Sequence, residues 1–143
     1  MSYPSLEAAL LDLERNGMLL RVREEVDPNL EMAAIHLRVR EKNGPALLFE
    51  KVKGSRYRAA SNIFGTTERC HFLFRKTMPL IPELISLRKD PTAALKSPFK
   101  YLNSLFLAAK ALPRKNNFSS ASFEEIRISD LPLIKHWPMD GGA

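Results

Sequence analysis

The feature that most constrains the fold is the apolar run Ala46-Leu47-Leu48-Phe49, set between the breaker Gly44-Pro45 and the charged pair Glu50-Lys51. A short, continuous apolar run bounded by turn signals predicts a strand covered on both faces, because a half-exposed strand would alternate and a helix would need more length. This strand is expected inside a sheet. Lys53-Gly54-Ser55 supplies turn chemistry, and a second strand is expected at about 57–60. Gly65-Thr66-Thr67-Glu68 then opens a helix, with Thr66 placed to cap free backbone N–H groups and Glu68 placed at the positive end of the helix dipole.

Upstream, Leu6, Ala9, Leu10 and Leu13 recur at helical spacing behind Ser5, and Asn16-Gly17 stops the pattern, which predicts a helix over 5–16. Met18 to Val22 reads as a strand. Asp27-Pro28 predicts a helix start, with the buried stripe carried by Leu30, Ala33, Ala34 and Leu37 and the helix running over 28–42. The expected core includes Leu10, Leu13, Ile35, Leu37, Leu47, Leu48 and Phe49.

Downstream, a helix from Thr67 is expected to continue to Lys76, with a short helical piece at Glu83 to Leu87 after Pro79 and Pro82. Ser97-Pro98 opens an amphipathic helix with Phe99, Leu102, Leu105, Phe106 and Ala109 on one side, and Pro113 stops it. Arg114 to Ser122 has the composition of an exposed linker. Ile126, Ile128, Leu131 and Leu133-Ile134 read as one or two strands leading into Trp137-Pro138.

At 143 residues and 45% apolar content the chain suits one modest soluble domain that needs no disulfide or metal staple. The single Cys70 has no internal partner for a bridge. Glu7, Asp12 and Glu14 interrupt the first apolar pattern, so no secretory signal is expected, and the longest apolar run, 105–109, is far short of a membrane span. A reducing, cytoplasmic setting follows as the expectation. The net charge of +6 is uneven: residues 51–115 hold 14 basic against 3 acidic groups, whereas the flanking stretches are each net negative.

Chemistry-bearing patterns are sparse. A glycine elbow at a helix start can cradle phosphate, but Phe64-Gly65-Thr66-Thr67 has one glycine where phosphate loops use two or three, and no lysine follows at the required spacing. His36, His71 and His136 show neither a metal-binding helix spacing nor a cysteine pair to complete a ligand set. Cys70 and His71 are adjacent on a helix and so point about 100° apart, which does not make an activated thiol. Glu24, Glu25, Asp27 and Glu31 cluster as a solvated face with capping duty. No nucleophile elbow, stacking signature or helix-turn-helix is visible, so no nucleic-acid partner is expected. No catalytic, cofactor-binding or metal-binding residue is assigned in this chain.

Gly44-Pro45-Ala46-Leu47-Leu48-Phe49-Glu50 with Val52-Lys53-Gly54-Ser55, then Asn62-Ile63-Phe64-Gly65-Thr66 and Glu68-Arg69, resembles the N-terminal signature of the UbiD-type decarboxylases, the prenylated-FMN enzymes named for a step in ubiquinone synthesis. The likeness extends upstream through Leu6 to Leu13, Gly17, Glu25-Val26-Asp27-Pro28, Leu30-Glu31 and Arg38, and downstream to Leu131-Pro132, Trp137-Pro138 and Asp140-Gly141-Gly142. Residues 70–125 match weakly.

The resemblance implies an α/β fold, a small mixed sheet flanked by helices, followed by a C-terminal strand segment that leads into a split β-barrel domain absent from this chain. It implies a domain plan of 1–112 for the N-terminal α/β domain, 113–125 for a linker and 126–143 for the first segment of the middle domain. The family's prenylated FMN, its divalent metal (manganese) and its Glu-Arg-Glu network lie beyond the position of Asp140-Gly141-Gly142, so the chain alone is expected to be inactive. Its implied partners are the middle and C-terminal domains of the decarboxylase within a homo-oligomer. The implied reaction is reversible, non-oxidative decarboxylation of an aromatic or α,β-unsaturated acid, in ubiquinone or menaquinone synthesis or elsewhere. The alternative is a stand-alone interaction domain that meets an anionic membrane or a protein partner through the basic 51–115 block, peripherally to the membrane.

Overall fold

The computed structural model describes residues 3–90 and 125–140. They fall into two compact units, one of residues 3–73 with 125–140 and one of residues 74–90. The first unit contains α1 (Leu6–Arg15), β1 (Leu19–Val26), α2 (Glu31–Glu41), β2 (Ala46–Val52), β3 (Ala59–Ser61), α3 (Thr67–Leu73) and a 3-10 turn at Ile128–Asp130. The second contains a 3-10 turn at Met78–Leu80 that runs into α4 (Ile81–Lys89), with Pro82 near the helix start, where a missing N–H costs nothing.

The sheet is mixed, with strand order β1-β2-β3. β1 and β2 are parallel, joined by the α2 crossover that parallel neighbours require, and β3 returns antiparallel through the Gly54 turn. The apolar run therefore lies on the central strand, as its composition demands. Leu47 and Phe49 point to one face and pack with Val26, Met32 and Val52, while Ala46 points to the other and packs with Ala9, Leu13 and Leu73. Ala46, Leu47 and Phe49 are fully buried and Leu48 nearly so. Side chains of this size contribute roughly 1.5–3 kcal/mol each when removed from water, so β2 is the largest single contributor to the core.

α1 begins where Ser5 Oγ accepts from the Ala8 N–H at 3.2 Å, and ends at Gly17, whose φ of +69° allows the Met18 N–H to return to the Leu13 carbonyl at 2.8 Å. The same helix is tied to the sheet by charge. Arg21, opposite Leu48 in the β1–β2 register, donates from Nε and Nη2 to the Glu14 carboxylate, and from Nη1 to Glu50 Oε1 at 2.8 Å. This bidentate pairing holds the Glu14 carboxyl below its ordinary range and raises the already high pKa of Arg21.

Several expectations are corrected. α2 starts at Glu31, not at Pro28, because residues 27–30 form a turn in which Leu30 takes φ +69°. Its periodicity is as read but its phase is rotated by about one residue, roughly 100°: Met32 and Ala33 are buried and Ile35 and Val39 pack beside them, whereas Ala34 is exposed and Leu37 is 48% exposed. Leu37 is therefore not core, and Ile35 is half-buried. β1 runs four residues beyond Val22, since on an edge strand Arg23, Glu24 and Glu25 can face solvent, and a register shift between Val22 and Glu25 absorbs the extra length. β3 is shorter than expected and begins at Ala59. α3 stops at Leu73, where the chain turns through Phe74 to Met78. The segment 126–134 carries a 3-10 turn and no ladder, and one parallel bridge, between Lys135 and Asn29, follows it. The amphipathic helix expected after Pro98 and the linker up to residue 124 lie outside the described residues.

Candidate functional site

Two constellations in the first unit carry its polar chemistry. The first is built around the glycine elbow. Asn62, at φ +57° and 8% exposed, donates from Nδ2 to the Gly44 and Pro45 carbonyls at 3.2 and 2.9 Å. Arg69, on the first turn of α3 and 4% exposed, donates from Nη1 to Gly44 O at 2.9 Å, from Nη2 to Asn62 O at 2.8 Å and from Nε to Ile63 O at 3.2 Å. Its backbone N–H reaches Thr66 Oγ1 at 3.2 Å, so Thr66 caps the helix as its position predicted. Gly65 is required here for space: a Cβ would lie 1.8 Å from Asn62 Oδ1 and 2.8 Å from Arg69 Nη2. Two hydrogen-bonding side chains thus lock the β3–α3 loop onto the loop before β2.

A cleft of about 650 Å³ opens beside this lock, walled by the loops at 16–18 and 43–45 and by Gly65 to Arg69 at the start of α3. A second cleft, of about 330 Å³, is mainly apolar; Leu6, Leu10, Leu11, Leu48 and Tyr57 line it together with the Glu7–Arg58 ion pair at 3.2 Å.

The second constellation is the 27–30 turn. Asp27 Oδ1 accepts from the Asn29 N–H and Asp27 Oδ2 from Lys53 Nζ, each at 2.8 Å, while the Asp27 N–H donates to Glu31 Oε2 at 2.8 Å. The turn presents backbone groups to the C-terminal segment. The Leu30 N–H donates to Lys135 O at 3.1 Å and the Lys135 N–H returns to Pro28 O at 3.0 Å. Ser55 Oγ donates to Asp130 O at 2.6 Å, and Ile134 packs on the core beside Phe49 and Met32. The segment is thus clasped, although Ile128, Trp137 and Met139 remain largely exposed.

Lys53 first, then the Asn29 N–H, hold the Asp27 carboxyl below its ordinary value of 3.8. A carboxyl depressed in the folded state adds stability above its ordinary pKa and loses it as pH falls through the folded value. Asp27→Asn is accordingly expected to melt at a lower temperature than the wild-type chain at neutral pH, with the gap closing as pH falls below 3.8 and through the folded value. A gap that persists unchanged through that range would remove the electrostatic role of Asp27.

The residues weighed as chemical candidates are dispersed. His36 is half-buried on α2, with Nδ1 unpartnered among the described residues, and its pKa is pushed down by burial first and then by Arg40 and His136. His71 is exposed, and Cys70 Sγ contacts the Phe64 carbonyl at 3.6 Å. Glu24 and Glu25 are exposed on β1, while Asp27 and Glu31 share the turn described above, so that acidic group divides between solvent and capping. Among the described residues no three His, Cys, Asp or Glu side chains stand close enough to hold a metal ion, and no helix is long and apolar enough to cross a membrane. The described residues thus offer no ligand set for the divalent metal that the family resemblance implies.

Arg69 and Asn62 were not singled out by sequence reasoning as interacting residues. Their only signal was the spacing of Asn62, Gly65 and Arg69 within the family signature, which carries no geometry of its own.

Comparison with known proteins places these features. An uncharacterised protein of Chlamydia caviae is 35% identical over 147 residues, covering 100% of this chain and 25% of its own length. A Chlamydia pneumoniae protein named as a subunit of 4-hydroxybenzoate decarboxylase is 38% identical over 131 residues, covering 87% of this chain and 22% of its own. The chain thus spans about a quarter of the length of the curated relatives it matches. Among solved structures, the vanillic acid decarboxylase of Sedimentibacter hydroxybenzoicus in open form is 35% identical over 50% of this chain and 16% of its own, with a TM-score of 0.48. An evolved dimeric form of the UbiD-class enzyme HmfF from Pelotomaculum thermopropionicum, in complex with prFMN, is 39% identical over 43% of this chain and 14% of its own, with a TM-score of 0.40. The family model for the 3-octaprenyl-4-hydroxybenzoate carboxy-lyase N-terminal domain matches residues 10–88, from α1 through the sheet and the glycine elbow to α4. That match takes in more than half of the sequence, and the chain belongs to the UbiD family of carboxy-lyases through this N-terminal domain.

Proposed function

We propose that this chain is the N-terminal α/β domain of a UbiD-type carboxy-lyase and serves as a platform for catalytic domains that it does not itself contain. The observation that carries the reading is the family match over residues 10–88, joined to a C-terminal segment clasped by backbone hydrogen bonds at Pro28 and Leu30. In this reading 1–112 is the α/β domain, 113–125 the linker and 126–143 the lead into the middle domain. The clasp supports this reading by tying the segment around Asp130 and Lys135 to the domain, and the exposed Ile128, Trp137 and Met139 are the surface a following domain would cover.

The whole enzyme would carry out reversible, non-oxidative decarboxylation of an aromatic or α,β-unsaturated acid, with prenylated FMN acting as electron sink and a manganese ion assisting, both held outside this chain. The substrate class is supported by the Chlamydia pneumoniae relative, which is named for the decarboxylation of 4-hydroxybenzoate. A homo-oligomeric parent and a role in quinone synthesis belong to the same proposal. The test is to purify the native polypeptide that carries this sequence, load it with prenylated FMN and follow CO₂ release from a panel of aryl and acrylic acids. Release is expected. A native polypeptide of 16.2 kDa that takes up no flavin would instead favour an interaction domain.

Peripheral attachment of a cytoplasmic enzyme to an anionic membrane is the second reading, favoured by the exposed Lys51, Lys53, Arg56 and Arg58 on and beside β2 and β3. Such attraction is electrostatic and weakens as the screening length falls from about 10 Å at 0.1 M salt to about 3 Å at 1 M. Co-sedimentation with anionic but not neutral vesicles at low salt is the expected outcome of this reading. Equal sedimentation with both, or with neither, removes it.

A further inference from the structure

The lock at Arg69 leaves a charge unbalanced. The guanidinium is 4% exposed and its three acceptors are neutral carbonyls, those of Gly44, Asn62 and Ile63. None of the ion pairs among the described residues includes it. Burying a cation is unfavourable unless it is both hydrogen-bonded and paired, and carbonyl dipoles meet only the first condition. A guanidinium carries five N–H groups; one each on Nε, Nη1 and Nη2 is used, which leaves the second N–H on Nη1 and on Nη2 without a protein acceptor among the described residues. Burial accordingly pulls the pKa of Arg69 down, its largest cause being desolvation.

Arg69 is also the one basic residue lining the 650 Å³ cleft, whose other walls are mostly polar or glycine: Asn16, Asn43 and Thr67 line it beside Gly44 and Gly65. Glu68, exposed, is the one acid there. We propose that this cleft is an oxyanion-binding site in which the Arg69 N–H groups that lack a protein acceptor receive a carboxylate or a phosphate. Guanidinium N–H groups give charge-assisted hydrogen bonds to the oxygens of either anion, and the surrounding amides and hydroxyl are neutral donors. The short α3 is not required for this; the charge comes from the side chain.

The test is a titration of the full 143-residue chain, followed by ¹H–¹⁵N spectra, with sodium phosphate and with sodium acetate, each against sodium chloride at equal ionic strength. Saturable shifts of the Gly44, Gly65 and Thr67 amides and of the Arg69 Nε–H are expected with phosphate or acetate and not with chloride. The anion that saturates at lower concentration identifies the source, a phosphorylated small molecule in one case and a carboxylate side chain or acid in the other. Glu68→Gln removes the opposing charge from an exposed position without touching the lock, and is expected to tighten binding about 5-fold, the factor that one charge at about 4 Å exerts in water. Arg69→Lys is expected to abolish saturation where it folds. Shifts that rise linearly, that chloride reproduces, or that Glu68→Gln leaves unchanged would each overturn the site.

Discussion

Replacing Gly65 with alanine is expected to destabilise the α/β unit by on the order of 3 kcal/mol, a large part of the roughly 5–15 kcal/mol that holds a domain folded. Gly65 has no positive φ, so the effect is one of space and not of backbone strain. The new Cβ would fall 1.8 Å from Asn62 Oδ1 and 2.6 Å from its Cγ. Asn62 cannot retreat cheaply, because its amide is held by the Gly44 and Pro45 carbonyls. Moving it breaks two buried bonds, and pushing on Arg69 endangers three more. Chemical denaturation of Gly65→Ala, Asn62→Ala and the double variant measures this. The double variant should lose less than the sum of the two single losses, since the first substitution has already removed the atom the second would strike. Additive losses, or a Gly65→Ala variant within about 0.5 kcal/mol of wild type, would mean the elbow is not locked as described.

That lock marks the limit of what the residue pattern conveys. The central strand was legible because an uninterrupted apolar run of four has few places to go other than a strand covered on both faces, and β2 is where it lies. α1 was legible to within a residue at each end, since Ser5 and Gly17 are local signals that act locally. α2 was legible as a helix but not in phase. Asp27-Pro28 reads as a helix start, yet Asp27 bonds Asn29 and Lys53 in a turn whose shape depends on the partners of Leu30, and one of those is Lys135, more than a hundred positions away. With Glu31 as the first helical residue, Met32 lies inward and Leu37 outward. The apolar segment after residue 125 shows the same dependence on distant partners. Its composition suggests strands, but its contacts come from the 27–30 turn and from Ser55, so it makes one bridge and a 3-10 turn.

The site differs in kind. Acidic, histidine and cysteine chemistries can be weighed from spacing in the sequence, because they need several ligands within a few residues or on one face. Arg69 gave no such sign. Its surroundings are backbone carbonyls at residues 44, 62 and 63, and carbonyl direction is fixed only by the folded chain.

The central claim is that this chain provides a platform and that the decarboxylation chemistry lies in domains beyond it. In UbiD-type chemistry the flavin needs a site that excludes water and places charge around it. The first unit offers an apolar cleft of about 330 Å³ and a cleft with one buried cation, and the histidines and acids described are dispersed or already paired. The most direct measurement is to titrate the purified 143-residue chain with reconstituted prenylated FMN in the presence of manganese and an aryl or acrylic acid, following the flavin spectrum and CO₂ together. The expected result is a spectrum identical to that of the free cofactor, with no CO₂ released. A stoichiometric spectral shift accompanied by CO₂ would contradict the account, because it would place the catalytic site within these residues.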